Sequence, residues 1–161
     1  MIKKRNLLVA NWKMNPSTFL EAKKIFDSTR NFAKSAKNTD IVICTPSIYL
    51  AALSKLKRPK NVFLGSQNIS DKDKGAFTGE ISATMIKEFG VTYTILGHSE
   101  RRAMGESNEL ISNKLKKAFT EGLTPIVCIG ELERDREGEY LEFIRTQIKE
   151  TFDGIQKKDL L

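Results

Sequence analysis

The 161-residue chain has one histidine, two cysteines and one tryptophan. So few soft ligands, with no CxxC or other ligand spacing around Cys44 and Cys128, argue against a zinc site. Each cysteine sits in or at the end of an apolar run, the pattern of a buried thiol in a reducing compartment. No apolar run approaches the roughly 20 residues a membrane-spanning helix needs. The apolar run 7–10, behind the basic start Met1-Ile2-Lys3-Lys4-Arg5-Asn6, is too short for a signal-peptide core. A cytoplasmic protein with no membrane partner is expected. Neither GxGxxG nor a P-loop follows the first apolar run, which argues against a nucleotide-binding fold. No linker, low-complexity tract or composition shift divides the chain, so one domain over residues 1–161 is expected.

What is present is ordinary for a globular protein: 40% hydrophobic and 29% charged residues. Lysine and arginine number 27 against 20 acidic residues, a net charge of +7. The positive side chains (Lys23, Lys24, Lys34, Lys114, Lys116, Lys117, Lys157 and Lys158 among them) fall on polar helix faces without interleaved aromatics. That reads as a solvated surface rather than a nucleic-acid interface.

The chain alternates short apolar runs with amphipathic segments. Strands are expected at 7–10, 40–44, 62–67, 93–97 and 124–129. The first helix opens at Pro16-Ser17-Thr18, with Thr18 and Glu21 at capping-box spacing, and carries Phe19, Ala22, Ile25, Phe26, Phe32, Ala33 and Ala36 on one face. Ser47 is expected to cap a second helix with Ile48, Ala51, Ala52 and Leu56 inward. A polar loop at 68–80 precedes a short helix at 82–89, closed by Gly90 as a left-handed cap. A helix at 106–121 turns Leu110, Ile111, Leu115, Ala118 and Phe119 inward, and one at 138–154 turns Leu141, Ile144, Ile148 and Phe152 inward. Five β–α units at this spacing make a parallel α/β fold. Pattern alone does not separate a doubly wound sheet from a (β/α) barrel.

In a parallel fold the residues following the strands share one rim. Asn11 and Lys13 follow the first strand, Gln67-Asn68 the third, and His98-Ser99-Glu100 the fourth. An extended backbone would point Asn11 and Lys13 the same way, toward an anionic, oxygen-rich ligand. His98 is either an acid–base or electrophilic group or the cap of the next helix. Lys13 alone could equally be a solvated loop lysine.

Four segments, Ala10-Asn11-Trp12-Lys13-Met14-Asn15, Gly75-Ala76-Phe77-Thr78-Gly79-Glu80, Ile95-Leu96-Gly97-His98-Ser99-Glu100-Arg101-Arg102 and Pro125-Ile126-Val127-Cys128-Ile129-Gly130-Glu131, resemble the N-terminal part of triosephosphate isomerases in order and spacing. The resemblance implies five of the eight units of a TIM (β/α)8 barrel. A closed barrel takes about 250 residues, so the last three units are expected to be absent, leaving two open sheet edges and an aggregation-prone chain. It also implies interconversion of dihydroxyacetone phosphate and glyceraldehyde 3-phosphate through an enediolate, without cofactor or metal. His98 would be the electrophile and proton shuttle. Lys13 would supply positive charge to the phosphate end and the enediolate, and Asn11 a hydrogen bond to a substrate oxygen. Glu100 would be a supporting carboxylate near Lys13, or simply a first-turn helix acid. Phe77 and Thr78 would lie in a dimer loop. Trp12 and Cys128 read as packing, and Glu131 and Glu133 as structural. The carboxylate base follows strand six in the family, so activity of these 161 residues is not expected without it. The alternative is a non-catalytic interaction module, or one half of a split enzyme.

Overall fold

Five short β-branched and apolar runs become the strands β1 (Asn6–Asn11), β2 (Thr39–Thr45), β3 (Val62–Ser66), β4 (Tyr93–Leu96) and β5 (Thr124–Val127). The helices are α1 (Phe19–Ala33), α2 (Ser47–Ser54), α3 (Ala83–Glu88), α4 (Ser99–Ala103), α5 (Asn108–Thr120) and α6 (Glu139–Thr151). The computed structural model describes residues 5–131, 133–134 and 137–156. The basic residues at 3–4 and 157–158 lie outside them, as do the chain ends. The strands pair in parallel and in chain order, β1-β2-β3-β4-β5.

Strand alternation sorts side chains onto two faces. Ile41, Ile43 and Leu64 join one core with Phe26 of α1, Leu53 of α2, Ile86 of α3 and Leu115 of α5. Val42, Cys44 and Ile95 form a second cluster, joined by Val9, Phe63, Tyr93, Ile126 and Cys128. That second cluster is built from strands and the residue after β5, and among the described residues no helix contributes to it. Helices on one face, and strands in unbroken order without a switch point, are the geometry of a curled part-barrel rather than a doubly wound sheet. Gly65 on β3 leaves no room for a side chain: a Cβ there would stand 2.5 Å from Cys44 Sγ and 3.1 Å from Val42 Cγ1.

Helix starts follow the polar residues expected of them. Thr18 accepts from Glu21 N at 3.3 Å, and Ser82 from Met85 N at 3.3 Å. Gly90 closes α3 at φ +67°. Several expectations fail. Ser47 is the first residue of α2; Pro46 stands at the cap and makes no side-chain cap bond. α2 buries Tyr49, Leu50 and Leu53, whereas Ile48 is 80% exposed. The segment is apolar nearly all round, so its periodicity names no face and packing against α1 and β3 chooses one.

α1 stops at Ala33 and leaves Phe19, Ile25 and Phe32 exposed, burying only Ala22, Phe26 and Ala33. On α6 the buried residues are Gln147 and Thr151, while Leu141 and Ile148 are exposed. Of the expected stripe Phe152 does pack against the core, and polar contacts add to it: Gln147 Oε1 accepts from Gly130 N at 2.9 Å, and Glu150 Oε2 from Asn108 Nδ2 at 2.8 Å. No helix among the described residues is long and apolar enough to cross a membrane.

The α2 faces are separable by mutation. Leu53→Ala is expected to cost about 2–5 kcal/mol through the cavity it leaves. Ile48→Ala is expected to change stability by no more than about 0.5 kcal/mol. Urea unfolding followed by circular dichroism measures both.

Candidate functional site

The carboxyl ends of β1, β3 and β4 open into a cavity of about 400 Å³, lined by Asn11, Lys13, Gln67, His98, Glu100 and the loop residues 79–81 among others. The rim residues following the first, third and fourth strands therefore do meet at one place.

The β1 end is built differently from expectation. Trp12 N still bonds Cys44 O at 3.0 Å, continuing the ladder, but Lys13 then takes a left-handed conformation at φ +54°. Asn11 and Lys13 are not two extended residues pointing in parallel. Instead, Asn11 Oδ1 accepts from Lys13 N at 2.9 Å in a local turn. Both still border the cavity.

Lys13 Nζ meets Glu100 Oε1 at 2.7 Å. The Lys13 ammonium, bonded to it, holds the Glu100 carboxyl below the usual carboxylate range. Their side chains are 54% and 56% exposed, so water screens the pair and its net contribution to stability is small. Its value is positional.

His98 caps a helix and borders the cavity at once. It is the N-cap of α4, its Nδ1 accepting from Glu100 N at 3.3 Å, and its ring also lines the cavity. A ring nitrogen that accepts from a backbone N–H carries no proton, so the neutral ring keeps its hydrogen on Nε2 as a donor. Capping thus selects the tautomer. Glu100 Oε2 lies 3.5 Å from Nδ1, a neighbour that becomes an ion partner only when the ring is protonated.

Arg102 anchors the strand end that carries His98. Its Nε donates to Gly97 O at 2.7 Å, Nη2 to Cys128 O at 3.2 Å and Nη1 to Asn108 Oδ1. Gly97 has φ +68°, and a Cβ there would stand 2.9 Å from Arg102 Nη2 and 3.0 Å from Ile111 Cδ1. A second cluster runs inward from the cavity wall, where Arg101 and Asn68 belong to the lining. The buried Glu106 accepts from Arg101 Nε and from Lys114 Nζ at 2.6 Å, and Lys114 Nζ also reaches Asn68 Oδ1 at 3.0 Å. Glu106 Oε2 is buried without a hydrogen-bond partner. This group ties α4, α5 and the loop after β3 into one unit.

The sequence pattern carries no sign of that cluster. Lys114, expected on a polar helix face, is buried, and Glu106, expected within the helix at 106–121, lies before α5, Ser107 being the cap. A helix-periodic pattern has no mark for a lysine and a glutamate that turn inward together.

Phe77 and Thr78 lie on the loop after β3, outside the cavity lining. Both are exposed, Phe77 by 44%. Turn bonds Phe77 N to Gly75 O and Glu80 N to Phe77 O, each 3.0 Å, present them. Cys44 is buried and its thiol is pushed up to about 12 by that burial; Cys128 is raised by burial too, against the opposing Arg102. Neither is a ready nucleophile. Among the described residues no three His, Cys, Asp or Glu side chains gather as around a metal ion.

The Glu106 cluster sets an acid limit. Burial raises its carboxyl, but the bonds from Lys114 and Arg101 outweigh this and leave it below the usual range. A carboxyl lowered on folding contributes stability above its unfolded value of about 4.3, and that contribution is lost as pH falls through the folded value. Stability against urea is expected to decline over that window in the natural chain, and the decline attributable to this group is absent in Glu106→Gln. Glu106→Ala, leaving Lys114 uncompensated, is expected to cost about 3–5 kcal/mol at neutral pH.

Comparison with known proteins agrees with this geometry. The sequence model of the triosephosphate isomerase family matches residues 6–161. The chain is 40% identical over 152 residues to a triosephosphate isomerase of Bacteroides fragilis, covering 93% of this chain and 61% of that protein. It is 41% identical over 159 residues to that of Herminiimonas arsenicoxydans, covering 98% and 63%. With that of Dictyoglomus thermophilum it shares 40% identity over 159 residues, covering 98% and 64%. The chain thus spans somewhat under two thirds of the length of these relatives. A family match over nearly all of its residues, on a parallel part-barrel with its rim cavity, means that the chain belongs to the triosephosphate isomerase family.

Proposed function

We propose that the protein acts in the interconversion of dihydroxyacetone phosphate and D-glyceraldehyde 3-phosphate, an aldose–ketose isomerisation of glycolysis and gluconeogenesis. The observation that carries this reading is the meeting of His98, Lys13 and Asn11 at one cavity of about 400 Å³. Moving a proton between adjacent carbons puts negative charge on the carbonyl oxygen as an enediolate forms. His98 Nε2–H polarises that oxygen and shuttles protons between the two oxygens. The Lys13 ammonium offsets the charge of the enediolate and of the phosphate. Asn11 spends Oδ1 on Lys13 N, which leaves its Nδ2 hydrogens for a substrate oxygen. Such proton transfer asks for no cofactor or metal. Glu100 is engaged by Lys13 and held low, so it steadies Lys13 and is a poor base. We assign the carboxylate base to the part of the relatives' length that these residues do not span. Two free thiols, Cys44 and Cys128, suit the cytoplasm.

We also propose that the glycine-flanked loop 74–80 is a homodimer contact, Phe77 being its apolar anchor. The exposed Phe77 alone would equally serve a non-catalytic interaction module or a half of a split enzyme, and turnover separates these readings.

The assay uses dihydroxyacetone phosphate with a coupled dehydrogenase. The 161-residue chain is expected to show no turnover by itself, and turnover when supplied with a polypeptide matching the uncovered part of the relatives. His98→Gln is expected to lower that turnover by about 10²–10⁴-fold; turnover that survives the substitution would sink the assignment. For the loop, Phe77→Glu is expected to shift the sedimentation equilibrium toward monomer.

A further inference from the structure

Among the described residues Lys13 is the one non-glycine with a left-handed backbone, at φ +54°. For a residue with a Cβ that conformation brings the Cβ against the following carbonyl oxygen, so something must hold it. Both backbone polar groups of Lys13 are held. Its N–H donates to Asn11 Oδ1 at 2.9 Å, and its carbonyl accepts from Gln67 Nε2 at 2.8 Å. The same Gln67 nitrogen reaches Cys44 O at 3.1 Å, the carbonyl that also accepts from Trp12 N at 3.0 Å. One amide group at the end of β3 thereby ties the end of β2 to the residue that leaves β1. The two N–H donors on its one nitrogen let Gln67 serve both carbonyls; a glutamate has no donor when ionised, and methionine has none at all.

We propose that Gln67 is a positioning residue that locks the Lys13 backbone in its left-handed turn and so aims the Lys13 ammonium at Glu100 and the cavity. The inference rests on the proposed role of Lys13 for its catalytic meaning, but its geometry stands without it. Its reach extends across three strand ends, which is why a loss at Gln67 is felt at residues 13 and 100 rather than locally.

The test is NMR on the 161-residue chain, independent of turnover. In the natural chain the Lys13 Cα and Cβ shifts are expected to report a left-handed residue, and Glu100 to titrate below an ordinary glutamate. In Gln67→Met, of similar length without donors, the Lys13 shifts are expected to leave the left-handed range. Glu100 is then expected to titrate upward, toward about 4.3. A Gln67 that merely satisfies Cys44 O would move neither signal. Unchanged Lys13 shifts and an unchanged Glu100 titration in folded Gln67→Met overturn the proposal. If that variant does not fold, Gln67→Asn, one carbon short, decides by the same signals: a partial shift of both supports the lock, and none overturns it. Because these signals do not depend on turnover, a failed isomerase assay leaves them standing, and their failure leaves the assay standing.

Discussion

Parallel pairing in unbroken chain order is the constraint under everything else. Because β1 to β5 run the same way, every residue that follows a strand emerges on the same rim, whatever its distance in sequence. Asn11 pairs in register with Cys44, Thr45 with Ser66, Ser66 with Thr94, and Leu96 with Val127. That ladder brings Lys13 within 2.7 Å of Glu100, 87 residues later. A slip of one residue in β1 would send Asn11 to the opposite face and dissolve the site.

Two groups of charges on this frame illustrate how burial decides what an ion pair does. Lys13 and Glu100 are solvated and contribute little to stability, so their pairing is about where the ammonium stands. Glu106 and Lys114 are buried, with Arg101 partly exposed beside them, so their charges must be matched and the removal of one strands the other. The first group borders the cavity, and the second runs from its wall at Arg101 inward to Glu106 and Lys114. The chain thus keeps its adjustable charges where a ligand would arrive and its unforgiving ones where they hold α4 and α5 in place.

The sheet has two edges among the described residues. β1 pairs on one side with β2, β5 on one side with β4, and Leu7 and Leu8 on β1 are 53% and 45% exposed. Exposed apolar strand edges are surfaces that other strands pair with. The concave cluster around Val42, Cys44 and Ile95 meets the same edges, since Val9 and Ile126 are only partly buried. In contrast, the helix-side core beneath α1, α2 and α5 is filled, with Phe26, Leu53, Leu64 and Leu115 fully buried.

Local chemistry decided much of this protein. The strands are legible because runs such as Ile41-Val42-Ile43 are β-branched and apolar and lie between polar breakers. Helix starts at Thr18 and Ser82 are legible because a hydroxyl can satisfy a free backbone N–H within three residues. The rim set of Asn11, Lys13 and His98 is legible because the residue after a strand is a definite place in a parallel fold. Tertiary structure decided the rest. Which side of α2 is buried depended on its neighbours, since an all-apolar helix has no preferred face. The left-handed turn at Lys13 comes with an acceptor from Asn11 and a donor from Gln67, the latter 54 residues away. The burial of Lys114 depended on Glu106 and Asn68 arriving beside it, because an ammonium leaves water only when its partners are already in place.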